Sequence, residues 1–334
     1  MDLLRLNNTI SSERLAVQNL LHIVSYVSGA LAIFANILVI AVVAAEHHVS
    51  KYALIIQLAI ADVLMAFPQL ISFIFMMASS SSIHIPLSKA VLLCKIALTW
   101  WGFAYILSVF TLTLISIERY RMLLLSAPSY SVGRRLTIAI CAIWAIDILL
   151  IIPLIPMINI DPVYGYKCNL RFQYGRLSAS IYFTILATMC YILPGFTIVF
   201  CYSKCIAILN KIMHLTILQS HSLTVRQAEI QKVTKMLITI TIYFIIMSTP
   251  WIINLIVNVY PGYDLVQPLY TSPSIIATVM SILSTSLFST APLGNAIIYA
   301  TMSPLFRRVF LRWCSRNNLR VGTERRVVKV GNFN

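Results

Sequence analysis

The sequence predicts an all-α membrane protein. It reads as a seven-transmembrane helix bundle, N-terminus outside, with a short amphipathic cytoplasmic helix 8. Three observations carry this. Of 334 residues, 59% are hydrophobic and only 10% are charged, where soluble domains average about 25% charged. Uncharged stretches recur that match the roughly 20 residues needed to cross a bilayer at about 1.5 Å each. The basic residues are distributed unevenly between the connecting segments. This composition disfavours disorder, a secreted disulfide scaffold and a soluble enzyme.

Residues 1–20 read as a mostly polar extracellular tail. They do not fit a cleaved signal peptide, because the apolar part that follows is too long. The bundle takes residues 21–302. Leu15–Ala45 is uncharged and holds the first span. The second lies between Lys51 and Lys89, interrupted only by Asp62. Ile96–Ile117 is the third, and Leu136–Ile160, interrupted only by Asp147, is the fourth. Leu177–Ser203 and Met236–Tyr263 are the fifth and sixth, and Leu265–Phe306 holds the seventh. In residues 303–314, Phe306, Val309, Phe310 and Trp313 share one helical face and Arg307, Arg308 and Arg312 the other. That is an interfacial amphipathic helix. Cys314 at its end is a candidate palmitoylation site. Residues 315–334 form a basic cytoplasmic tail.

The net charge is +15. With the N-terminus outside, only Arg5, Arg14, Lys89, Lys95, Lys167, Arg171 and Arg176 face outward, and the other 18 of 25 Lys and Arg residues face the cytoplasm. The positive-inside rule selects this topology. It assigns the basic tail to anionic lipid rather than nucleic acid. It also places the Asn7-Asn8-Thr9 glycosylation sequon on the lumenal side.

Polar residues inside the spans carry the functional signal. Asp62 sits mid-span, where a carboxylate is costly without water, an ion or a partner. Asn36, Ser108 and Asn295 are candidates for a network around it. Glu118-Arg119-Tyr120 closes the third span. Asp147 is a second intramembrane carboxylate with no motif to explain it. No cysteine spacing suggests zinc. Cys94 and Cys168 are the two cysteines on the outer side. The other five lie in membrane or cytoplasm, where thiols stay reduced. Pro153, Pro156, Pro194, Pro250 and Pro292 mark spans four to seven as kinks or hinges.

Taken in order, these residues resemble the rhodopsin-like (class A) G protein-coupled receptors. The likeness rests on Asn36, Leu58 to Asp62, Cys94, Glu118-Arg119-Tyr120, Trp144, Cys168, Pro194 with Tyr202, Pro250, Asn295 to Tyr299, and Phe306-Arg307. It covers about residues 20–314. Locally, Asn295-Ala296-Ile297-Ile298-Tyr299 and Asp161-Pro162-Val163-Tyr164 are similar to melatonin-type receptors. Gln227-Ala228-Glu229 and Val233-Thr234-Lys235-Met236 look opsin-like.

The resemblance implies a multi-pass plasma-membrane receptor for an extracellular peptide or small molecule, not an enzyme. Its partner would be a heterotrimeric G protein, with arrestin and a receptor kinase as further partners. Helix six would swing out about Pro250. Arg119 would leave Glu118 for Tyr202, and Tyr299 would move inward. Asp62, Ser108 and Asn295 look like an inner sodium site. The helix-six acid that often locks the arginine falls at Ile230, so basal signalling is expected.

Departures from the family pattern narrow the ligand. Ser289 replaces the opsin lysine, so no retinal Schiff base forms there. Trp101 replaces the aspartate that holds amines. Leu154 replaces the helix-four asparagine of melatonin receptors. Ser248 stands where helix six usually carries tryptophan, with Trp251 just beyond Pro250, and Ala296 stands where the NPxxY proline would be. Trp101, Tyr105, Trp251, Asn254 and Asn258 are the candidate ligand-pocket residues. Lys167, Arg171 and Arg176 flank Cys168, which tilts the expectation towards a peptide or acidic ligand. A transporter or channel is the alternative reading, though no half-repeat supports it.

Overall fold

The computed structural model describes residues 2–45, 52–80, 86–125, 133–161, 167–170, 175–218, 225–259, 275–309 and 312, without the side chains of residues 2–18 and of several residues near helix ends. Seven spans follow in order. They are α1 (Asp2–Ala44), α2 (Ala53–Ser80), α3 (Leu87–Leu125), α4 (Gly133–Ile151), α5 with α6 (Arg176–Ala187 and Leu193–Leu218), α7 (Val225–Val259) and α8 (Ile275–Met302). Helix is the only regular backbone that satisfies its own polar groups in lipid without closing a barrel. Leu, Ile and Val dominate these segments, and many of them face outward, as Leu31, Leu149 and Val199 do.

Helices outrun the uncharged stretches at several ends. The third span extends to Leu87 and Leu125 and carries Lys89, Lys95, Glu118, Arg119 and Arg121 on the same helix. Long charged side chains there reach the interface while their stems stay in apolar surroundings. Helix α1 begins at Asp2, so the segment read as a tail is helical and continuous with the first span.

The fourth span stops sooner than its apolar stretch. Its α-helix ends at Ile151 and tightens into a 3₁₀ segment, Ile152–Met157. Pro153 and Pro156 fall inside that segment, where their missing N–H groups and ring clashes end the α-helical ladder. Strand β1 (Ile158–Asp161) follows and pairs antiparallel with β2 (Lys167–Leu170), with Ile160 opposite Cys168. The bundle is helical as expected, and the second outer loop adds this short two-stranded pair.

Cys94 and Cys168 form a disulfide with Cα atoms 5.4 Å apart. It fastens the hairpin to the outer end of the third span. The fifth span changes register midway. A π-helical turn, Thr188–Ile192, separates α5 from α6, just before Pro194. The inserted residue swings Cys190 and Tyr191 relative to an ideal helix, and such turns concentrate at functional sites.

Two glycines mark close helix approaches. A Cβ at Gly29 would overlap the Gln69 side chain, and one at Gly294 would overlap the Tyr243 ring. The first seats α2 on α1, and the second seats the sixth span on the seventh.

Candidate ligand cavity and cytoplasmic switch

The outer half of the bundle encloses a cavity of about 290 Å³, near the lower end of usual small-molecule sites. Trp101 and Tyr105 of the third span, Leu154 beyond the fourth, Phe183 of the fifth and Trp251 of the sixth line it. Cys168 and Leu170 of the hairpin close its outer side. The disulfide therefore holds part of the cavity wall in place. Among the described residues, no charged side chain lines it.

Its floor is aromatic. Trp101 meets Trp251 edge-on at 4.8 Å between ring centroids, and Trp251 stacks on Phe288 at 5.1 Å. Phe288 also meets Trp101 at 4.9 Å and Tyr105 at 5.3 Å. Phe288 is fully buried at the centre of this cluster. Sequence reasoning missed it, because one Phe in an apolar span carries no signal of its own.

Three of the five expected pocket residues thus reach the cavity: Trp101, Tyr105 and Trp251. Asn254 does not line it, which corrects that expectation, and the Asn258 side chain lies outside the described residues. The side chains of Lys167, Arg171 and Arg176 also lie outside them. Among the described residues the cavity lining is apolar.

Below the cavity lies a polar layer. Asn295 Nδ2 donates to both carboxylate oxygens of Asp62, at 3.3 and 3.2 Å. The Ser108 hydroxyl and the Asn295 Oδ1 atom are buried without a hydrogen-bond partner. Asp62, Ser108 and Asn295 thus bring three buried hard oxygen donor groups from three spans. Asn36 does not join them through its donors. Its amide donates to the carbonyls of Ala32 (2.9 Å) and Pro292 (3.1 Å), so it ties the first span to the seventh. Nearby, Gln69 donates to the Ser289 carbonyl at 2.8 Å. Both carbonyls lie beside Pro292, whose ring removes the helical donor to the Phe288 carbonyl. Neighbouring spans thus add hydrogen bonds to the seventh span on either side of the proline. Gln57 similarly reaches Thr111 at 2.8 Å, linking the second and third spans.

Asp147 is fully buried in the fourth span, and neither carboxylate oxygen has a hydrogen-bond partner.

The cytoplasmic end departs from the expected lock. Glu118 pairs with Arg121 at 3.3 Å, not with Arg119. The i,i+3 spacing sets Glu118 and Arg121 on one helix face, whereas adjacent residues diverge. Arg119 turns inward. Its Nη1 approaches Met122 Sδ at 3.8 Å, and its electrostatic neighbours are Tyr202, Tyr52, Cys205 and Glu118. The Tyr202 hydroxyl shares a 3.2 Å hydrogen bond with Thr241, joining the fifth span to the sixth. Tyr120 packs edge-on against Phe200.

Tyr299 meets Phe306 of the following short helix at 6.1 Å. Residues 304–309 are helical, and Ser303 Oγ accepts the Phe306 N–H at 3.3 Å as a cap. Leu305, Phe306 and Val309 are buried, while Arg307 and Arg308 are exposed. This matches the amphipathic reading over those residues. Phe310, Trp313 and Cys314 lie outside the described residues, as does the Asn7 side chain.

Six described helices, from Asn19–Ala44 to Ile230–Val257, are long and apolar enough to cross a membrane. Residues 35–299 match the family described as 7 transmembrane receptor (rhodopsin family). A curated relative is the somatostatin receptor type 4 of Rattus norvegicus, 25% identical over 267 residues. That match takes in 77% of this chain and 62% of the relative, so the chain spans less than two thirds of the relative's length. The matched family region runs from Asn36 through the outer cavity and polar layer to Tyr299, and the chain belongs to the rhodopsin family of seven-transmembrane receptors.

Proposed function

We propose that this receptor binds a ligand in the outer cavity and activates a heterotrimeric G protein at its cytoplasmic face. One observation carries the reading. The sixth span is a single helix, Val225–Val259, that bears Trp251 in the cavity wall and Thr241 at the Tyr202 hydrogen bond. Those two points are about 15 Å apart along the axis, with Pro250 beside the upper one. A ligand that favours one Trp251 position therefore biases the contacts around Arg119, as a population shift requires. Outward movement of the sixth span breaks the Tyr202–Thr241 bond and frees Tyr202 to take Arg119.

The test is ligand-free. Membranes carrying the receptor load a partner Gα with GTPγS faster than matched membranes without it. Arg119→Ala returns loading to background at equal surface expression. Loading unaffected by Arg119→Ala would remove the reading.

The polar layer supports a bound sodium ion. Asp62, Ser108 and Asn295 offer the carboxylate, hydroxyl and amide oxygens that a hard cation takes. They would hold the ion in the state that leaves the sixth span inward. Asp62→Asn then abolishes any sodium dependence of ligand binding, and a mutant that keeps the dependence refutes the site. Trp101 and Ser289 support a ligand held by neither an amine salt bridge nor a retinal Schiff base. The same reading takes the plasma membrane as the site of action, Asn7 as glycosylated, Cys314 as palmitoylated, and arrestin and a receptor kinase as further partners.

A further inference from the structure

A second cavity of about 400 Å³ lies inward of the first, between the third, fifth and sixth spans. Both cavities are bounded by the same four residues: Tyr105, Cys190, Tyr191 and Ile192. Three of these belong to the π turn Thr188–Ile192. The π turn therefore forms one wall common to both spaces, and the Tyr191–Thr249 hydrogen bond (2.6 Å) pins that wall to the sixth span. Ser248 lies at the inner cavity's edge, where the family pattern has an indole. Its small side chain leaves Tyr105 as the partition's main bulk on the third-span side. Among the described residues, the inner lining is again uncharged, with Val109, Leu112 and Phe244 on its walls.

The inner cavity's fifth-span wall faces the bilayer. Phe196 and Val199 line it and are 74% and 62% exposed. Gly195 precedes Phe196 on the same wall, and a Cβ there would meet no atom within 4 Å. Two cavities whose described linings are uncharged, one with a lipid-side wall, suit a long apolar molecule better than a peptide. Burying a peptide's backbone groups there without partners would be costly.

We propose that the ligand carries a straight hydrocarbon chain that crosses from the outer cavity past Ser248 into the inner one. This rests on the receptor reading above and names its ligand class. The chain's source is either a diffusible fatty amphiphile or an acyl chain of the surrounding phospholipid.

The test uses the purified full-length receptor in detergent. The probes are tritiated fatty acids from octanoic to octadecanoic acid and the matching fatty alcohols, so that the head group is not what is read. Affinity should rise about four-fold per methylene, equivalent to about 0.8 kcal/mol each. Ser248→Trp refills the partition and Gly195→Phe fills the inner cavity from the lipid side. Each should leave octanoic acid binding unchanged and weaken octadecanoic acid by at least about ten-fold. Gly195→Phe is the second arm should Ser248→Trp fail to fold, because its Cβ has open space.

Affinity that ignores chain length overturns the proposal. So does a folded Gly195→Phe that binds octadecanoic acid like the native receptor. In phosphatidylcholine nanodiscs, native mass spectrometry then assigns the source, since either a retained phospholipid or its displacement by free acid supports the hydrocarbon-chain class. Binding with no effect on GTPγS loading would keep the chain class and remove the receptor reading. Receptor-dependent loading without chain-length dependence would do the reverse.

Discussion

The outer and inner halves of the bundle are built by different rules. The outer half is held by shape, through the ring cluster of Trp101, Trp251, Tyr105 and Phe288. The inner half is held by direction, through Asp62–Asn295, Asn36–Pro292, Gln69–Ser289 and Tyr202–Thr241. Shape tolerates many sequences of similar volume, so the outer half is free to vary its ligand. Directional bonds in a dry interior tolerate few, because each unpaired group is costly. Departures from the family pattern fall on both sides of this division, with Ser289 and Ala296 in the inner half. Trp101, Leu154 and Ser248 border the cavities, while Asp62, Arg119 and Asn295 below keep their residue types.

Three substitutions test the contrast, from the largest expected effect to the smallest. Phe288→Ala should cost about 3–5 kcal/mol, seen as a clear drop in thermal midpoint. It removes the ring on which Trp101, Tyr105 and Trp251 all pack. A small loss would mean the cluster re-collapses and that shape is not what holds this half. Thr241→Val keeps volume and deletes the hydrogen bond to Tyr202, worth about 1 kcal/mol. Basal GTPγS loading should rise about five-fold, because the contact tying the fifth span to the sixth is weakened. A fall in loading would reverse the role given to this bond. Glu118→Gln should matter least. Its partner Arg121 is 44% exposed, and surface pairs contribute about 0–1 kcal/mol. Basal loading should change by less than about two-fold, and a large increase would show that Glu118 restrains Arg119 after all.

The same division explains what could be read from sequence. A polar residue in a long apolar segment must find a partner, so Asp62, Asn295 and the cysteines Cys94 and Cys168 stood out and meet as expected. Asn36 stood out too, but its partner is the Pro292 carbonyl, and backbone acceptors leave no trace in a sequence. Phe288 and the inner cavity were invisible, because apolar residues facing lipid and those facing a cavity have the same composition. The hairpin was hidden because Met157–Ile160 continues the apolar run of the fourth span, and only Pro153 and Pro156 hinted that the helix ends earlier. The Glu118–Arg121 pair differs from the Glu118–Arg119 pairing that the resemblance implies, because i,i+3 residues share a helix face and adjacent ones diverge.

Around Pro292 the seventh span accepts hydrogen bonds from two neighbours, Asn36 on the first span and Gln69 on the second. Its curvature is therefore not a private property of that helix. Straightening or bending it must stretch bonds to both neighbours at once, so the three helices respond as a single truss. Gly29 sharpens the point, since the Gln69 side chain fits only where α1 presents no side chain at all. A methyl group added on the first span, far in sequence from the bend, would change the shape of the seventh.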